Sequence, residues 1–177
     1  CPTNAIKLKN KNESAWVVID TDKCLACTIC ATRCPEHAID MKNRQKPLHF
    51  GVDAINVDQS EVHRICLRAH MHPEQVICYC RRTQAREVAA AIVLGHHTPE
   101  ALSLVTGVRT GCGVLCITSI LRLLKAAGID FGKAPGSQWY GAYMTIWDIP
   151  KEISERYPEY YLEEDLQAIN QVFPKGE

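Results

Sequence analysis

Cys24, Cys27, Cys30 and Cys34 form the run C-x2-C-x2-C-x3-C-P, and nothing else in the 177-residue chain restricts its fold so tightly. The spacing of the first three lets their thiolates converge, within one tight loop, on the corners of a single iron–sulfur cubane. The fourth cysteine, followed by Pro35, is carried away from that loop, and in the bacterial run of this spacing it ligates the other cluster of a pair. A zinc knuckle has a different signature, two separated C-x2-C pairs. Proline fixes φ after the fourth cysteine and ends the loop.

The hexapeptide that starts at Cys34, CPEHAI, nearly repeats residues 1–6, CPTNAI. Between the copies, KNKN reads as a turn and SAWVVID (Ser14–Asp20) as a β-branched, aromatic strand, which predicts a hairpin of Ile6–Lys9 with Trp16–Ile19. The Ala-Ile pair after each Cys-Pro is placed to pack against a cluster and exclude water.

Through these features residues 1–47 resemble the bacterial two-cluster [4Fe-4S] ferredoxin, in which the near-repeat is a duplication with crossed ligation. The resemblance implies that Cys1, Cys24, Cys27 and Cys30 hold one [4Fe-4S] cubane. It also implies that Cys34 belongs to a second [4Fe-4S] cubane whose other ligands would precede residue 1, so a missing first stretch is expected. Were Cys1 the native start, Cys34 would be orphaned and only one cubane would form. A cubane saturated by four thiolates has no open position for chemistry, so its role is electron transfer. No group reads as a base or a substrate pocket, and no catalytic residue is predicted.

A second cysteine group lies further on. ICYCRR supplies Cys78 and Cys80, and TGCGVLC supplies Cys112 and Cys116. Two short helices between them would bring the four thiolates together at helix N-termini, where backbone N–H groups and the dipole favour an anion. Arg81, Arg82 and Arg109 flank the cysteines, and positive charge there would ease reduction of the centre. Gly111 and Gly113 would let backbone approach the sulfurs. The helices themselves are well marked. TQAREVAAAIVLG stops at Gly95. TPEALSLVTG has Thr98 as N-cap and Pro99 at its first position, and stops at Gly107. CITSILRLLKAAG sets Ile117, Ile120, Leu121 and Leu124 on one face and ends at Gly128.

Residues 76–128 resemble the bacterioferritin-associated-ferredoxin type of [2Fe-2S] domain, which implies that Cys78, Cys80, Cys112 and Cys116 hold a [2Fe-2S] cluster. The second pair is spaced C-x3-C, where C-x2-C is the commoner form. A structural zinc site is the alternative, since four thiolates suit that ion too.

The chain has ten cysteines, eight of them in these close-set groups, which favours shared metal over disulfides and suits a reducing, cytoplasmic compartment. The lone Cys66 reads as a small buried hydrophobe. His70 and His72 lie near it in a segment whose geometry is not legible, and His96-His97 reads as a polar turn. Formal net charge is zero, but residues 61–128 hold 8 Lys/Arg against 4 Asp/Glu, and residues 129–177 hold 4 against 9. The excess is too small to argue for nucleic acid, and no apolar run is long enough to span a bilayer. No G-x-G-x-x-G precedes a helix, so a dinucleotide is not bound by that route.

These features predict an α+β chain. Its parts are a ferredoxin-type module with short hairpins (1–47), a connector with room for one short helix (48–75), a small helical [2Fe-2S] domain (76–128) and an acidic aromatic tail (129–177) suited to docking. The tail's helix would place Leu162, Leu166, Ile169 and Phe173 on one face. The combination resembles iron–sulfur subunits of flavin-dependent dehydrogenase complexes, such as those oxidising proline or hydroxyproline. That implies an electron relay inside a larger oxidoreductase, with a flavoprotein as partner. An iron-mobilisation or metal-carrier protein is the alternative from another class.

Overall fold

Alternating side chains on either side of a polar turn fold the start of the chain into an antiparallel hairpin, β1 (Ile6–Lys11) with β2 (Ser14–Ile19). Ile6 pairs with Ile19, Leu8 with Val17 and Lys9 with Trp16. The computed structural model describes residues 1–11, 14–132, 134, 138, 140 and 144–172. In it each strand runs two residues further toward the turn than the sequence predicts. Leu8 and Trp16 are exposed, so the ladder, and not an apolar core, holds this hairpin. The cysteine loop follows, then a five-residue helix, α1 (Ile29–Arg33).

Residues 48–57 carry no helix or strand. The helix for which the connector had room is α2 (Gln59–Arg68), three turns long. The Asp58 carboxylate caps it by accepting from the amides of Ser60 at 3.0 Å and Glu61 at 3.3 Å. Val62, Ile65, Cys66 and Ala69 are buried at the i, i+3, i+4, i+7 spacing of one helical face.

A small antiparallel pair, β3 (Val76–Cys78) and β4 (Thr83–Gln84), then leads into α3 (Ala85–Val93), α4 (Pro99–Thr106) and α5 (Ile117–Ala126). Each helix begins and ends where its sequence requires. Glu87 accepts from the Gln84 amide at 2.7 Å, and Thr98 Oγ1 accepts from the Ala101 amide at 3.2 Å. Gly95, Gly107 and Gly128 take the positive φ that closes a C-terminus. Helices α2 to α5 enclose one core, with Ile65, Val88, Leu102, Ile120, Leu121 and Leu124 all buried. The architecture is α+β: two two-stranded sheets and seven α-helices among the described residues. None of these helices is long and apolar enough to cross a membrane.

The tail contributes α6 (Lys151–Arg156) and α7 (Leu162–Val172). Leu162, Leu166 and Ile169 of α7 are half-buried; Phe173 lies outside the described residues. The Trp147 indole N–H donates to Asn170 Oδ1 at 3.0 Å, tying α7 to the short 3-10 turn Ile146–Asp148. That turn rests on the helical core. Trp147 stacks on His70 with ring centroids 3.9 Å apart, and Asp148 pairs with Lys125 at 2.5 Å.

The burial of α2 makes it part of the core. Ile65→Ala is expected to destabilise the protein by about 2–5 kcal/mol, the usual range for this truncation in a core. Leu67→Ala, on the exposed side of the same helix, should stay within about 0.5 kcal/mol. Denaturant midpoints of the two variants check this.

Candidate metal centre

The two cysteine-proline turns have the same geometry. In the first, the Asn4 amide donates to Cys1 O at 3.3 Å and the Ala5 amide to Cys1 Sγ at 3.3 Å. In the second, the His37 amide donates to Cys34 O at 3.2 Å and the Ala38 amide to Cys34 Sγ at 3.4 Å. Asn4 and His37 both take left-handed backbone, with φ of 55° and 48°, and Asn and His are among the residues that tolerate it best. The repeat read as six letters is therefore a repeated turn that aims an amide at a sulfur.

Cys1 is brought to the cysteine loop by two bonds. Thr3 Oγ1 donates to Lys23 O at 2.6 Å, one residue before Cys24, and the Asp20 amide donates to Ala5 O at 2.8 Å. Within the loop Ala26 and Thr28 have φ of 53° and 61°, an uncommon conformation for residues with a Cβ. Cys1, Cys24, Cys27, Cys30 and Cys34 are all half-buried.

The second group converges in pairs. The Cys78 thiol lies beside that of Cys116, and the Cys80 thiol beside that of Cys112. The first pair is buried and the second exposed. Backbone N–H groups lie beside the sulfurs and offset their charge: those of Arg109, Arg81 and Cys80 at Cys78, of Arg109 at Cys116, and of Val114 and Leu115 at Cys112. The Cys112 amide donates to Cys80 Sγ at 3.4 Å. These contacts have electrostatic consequences. The Cys116 thiol, helped by the amides, pulls Cys78 well below the ordinary thiol range, and the Val114 and Leu115 amides lower Cys112. Cys116 is driven up by the neighbouring Cys78 sulfur, by burial and by the Cys78 charge.

Among the described residues no three His, Cys, Asp or Glu side chains are placed to hold a single metal ion. Two pairs of thiols are the donor set of a two-iron cluster, in which four cysteines serve two metals. The residues present fit that group. Gly111 fits it too: a Cβ there would lie 2.3 Å from Cys80 Cβ and 2.8 Å from Cys80 Sγ. Gly113 does not approach a sulfur as expected. Its φ is 78°, and a Cβ would meet Ile29 Cδ1 at 3.5 Å, in the first cysteine loop.

The flanking arginines also differ from the expectation of simple positive charge. The Arg109 side chain is buried and paired with Glu100 at 3.3 Å, so it is the Arg109 amide that faces the sulfurs. Arg81 stacks over Phe50 at 5.5 Å, and Arg82 is exposed in the turn with φ of 55°. Of the four cysteines only Cys116 sits at a helix N-terminus, as the N-cap of α5. The remaining candidates are structural. Cys66 is buried, which pushes its thiol up to about 12. His72 Nδ1 accepts from the Glu74 amide at 3.2 Å, and His97 Nε2 hydrogen-bonds with Ile92 O at 3.2 Å.

Residues 1–38 match the model of the 4Fe-4S dicluster domain, and residues 76–126 match the BFD-like [2Fe-2S] binding domain. The chain carries two iron–sulfur domains. Their cofactors are [4Fe-4S] and [2Fe-2S] clusters, and domains of these kinds point to electron transfer. No curated protein and no solved structure matches the chain. In the BFD-like domain the C-x3-C spacing is absorbed by Gly113, Val114 and Leu115, whose last two amides lie beside the Cys112 sulfur. The dicluster and BFD-like domains meet at a cavity of about 190 Å³, lined on one side by Cys1, Pro2 and Ile29 and on the other by Arg109, Cys112 and Gly113.

Gly111→Ala forces a methyl against Cys80. Overpacking of about 1–3 kcal/mol is enough to lower [2Fe-2S] loading roughly tenfold, while the [4Fe-4S] content stays unchanged. Iron and sulfide per chain, with visible absorbance, measure this.

Proposed function

We propose that this chain is an iron–sulfur electron-transfer subunit that relays single electrons between [4Fe-4S] and [2Fe-2S] groups inside a larger, flavin-dependent oxidoreductase complex. The observation that carries the reading is the cavity where the two cysteine sets face each other, with Cys1 on one wall and Cys112 on the other. Two one-electron groups in adjoining loops are what a relay requires.

In this reading Cys1, Cys24, Cys27 and Cys30 hold the cubane, and Cys34, whose turn repeats that of Cys1, serves a second one. Cys78, Cys80, Cys112 and Cys116 would hold the [2Fe-2S] group. When bound, these clusters supply one-electron acceptance and donation. The chain's residues do the rest. The amides of Ala5, Ala38, Arg109, Val114 and Leu115 offset sulfur charge, which eases reduction. Gly111 lets the loops close, and burial of Cys78 and Cys116 keeps water from one half of the site. The exposed pair, Cys80 and Cys112, is the side from which a partner would exchange electrons.

The domain extents belong to the same proposal: 1–47 for the dicluster module and 76–128 for the BFD-like one, with 48–75 lending α2 to the second core. The flavoprotein partner rests on the likeness of this domain pairing to dehydrogenase subunits. The cytoplasmic setting rests on the close-set free thiols. The outward carboxylates of α7, Glu163, Glu164 and Asp165, are the tail's surface for docking.

Stepwise dithionite reduction followed by low-temperature EPR, with spins counted per chain, tests the relay. Fast-relaxing [4Fe-4S] and slow-relaxing [2Fe-2S] signals should both develop, and Cys112→Ser should alter only the second. A cubane signal alone, with one zinc per chain, would make the second site a brace and end the relay at the cubane.

A further inference from the structure

Arg109 touches both cysteine loops. It belongs to the second loop, three residues before Cys112, where it lines the shared cavity with Cys112 and Gly113 and its amide lies beside the sulfurs of Cys78 and Cys116. Its guanidinium crosses to the other domain, where Nη1 donates to Pro2 O at 3.4 Å. Nη2 donates to Gln138 Oε1 at 2.6 Å, and Gln138 Nε2 in turn donates to Cys1 O at 2.6 Å. Glu100 balances the charge at 3.3 Å, and the Tyr140 hydroxyl donates to the same Glu100 oxygen at 2.6 Å. The guanidinium also lies 5.0 Å from the Tyr140 ring centroid. Arg109 itself is 2% exposed, and its φ is 68°.

This arrangement costs free energy locally. A non-glycine residue in left-handed backbone is strained by about 1–3 kcal/mol, and a buried cation needs several partners. It persists because the surroundings fix it. Left-handed backbone at Arg109 turns its amide toward the sulfurs while its side chain leaves in the direction of Cys1. A lysine would have to meet both acceptors from a single nitrogen, whereas Arg109 reaches them from two fixed in one plane.

We propose that Arg109 and Gln138 form a bracket that sets the spacing and orientation of the two cysteine loops, and so of the groups they hold. Arg109 is a positioning residue: it acts through the carbonyls of Cys1 and Pro2 and through the sulfurs it faces. The effect on electron exchange rests on the relay reading, but the bracket itself is a property of the two loops.

The test uses the full chain with its clusters, as wild type and as Arg109→Lys, Arg109→Gln and Gln138→Ala. Gln138→Ala removes one arm of the bracket without leaving a buried site uncharged, so it guards against simple misfolding. Two readouts are taken: amide exchange at Asn4 and Ala5, and the magnetic interaction between the reduced centres seen as EPR broadening and relaxation. With cluster content unchanged, exchange should rise about tenfold, the factor for one lost hydrogen bond to a charged group. The magnetic interaction should weaken in all three variants, least in Arg109→Lys. Unchanged exchange and unchanged broadening in Gln138→Ala and Arg109→Gln would overturn the bracket. A wild type with only one kind of cluster would defeat the relay reading, while the exchange data would still decide the bracket.

Discussion

Thiolates brought together repel one another, and most of this structure serves to hold them in place against that repulsion. Cys80 and Cys112 lie 32 residues apart, and each loop alone would repel the other once its thiols ionise. The helical core behind them supplies the compensating free energy. Leu102, Ile120, Leu121 and Leu124 are fully buried, at roughly 1.5–3 kcal/mol per side chain removed from water. The amides of Arg109, Val114 and Leu115 then meet the charge directly. Without the core the loops would have no reason to stay together.

The first domain solves the same problem with far less apolar burial. Its hairpin is exposed, and among residues 1–10 and 15–46 only Pro2, Thr3 and Ala5 are buried. Cohesion comes from short polar links, Thr3 to Lys23 and Asp20 to Ala5, and from the repeated turn that points Ala5 and Ala38 at Cys1 and Cys34. A module this thin depends on metal–thiolate bonds for part of its stability, as small metal-binding domains do. Arg44 adds a further tie, donating to the carbonyls of Thr21 and Cys24.

Much of this was legible from the residues. Helices α3, α4 and α5 carry their own punctuation, with Thr98, Pro99 and the three closing glycines, so their limits follow from local chemistry. The first cysteine run named the cubane by its spacing, whereas the [2Fe-2S] group came from the family resemblance of residues 76–128, since two separated cysteine pairs suit zinc as well. Helix α2 was harder to see. Its Asp58 cap and the Val62, Ile65, Cys66, Ala69 face are present in the sequence, but polar residues on both sides dilute the periodicity. Long-range contacts were not legible at all. Arg109 reads as a charge near cysteines, whereas its side chain is spent on Pro2, 107 residues away. Nothing local tells Trp147 to stack on His70. Gly113 reads like Gly111, and only the fold shows that one faces a sulfur and the other faces Ile29.

The central claim is that iron, and not zinc, is held by both cysteine sets in adjoining loops. Diffraction from crystals of the protein, collected on both sides of the iron and zinc absorption edges, addresses it most directly. The account predicts iron anomalous density among Cys78, Cys80, Cys112 and Cys116, and a separate iron peak among Cys1, Cys24, Cys27 and Cys30. A zinc-edge peak at the first position, with iron only at the second, would contradict it.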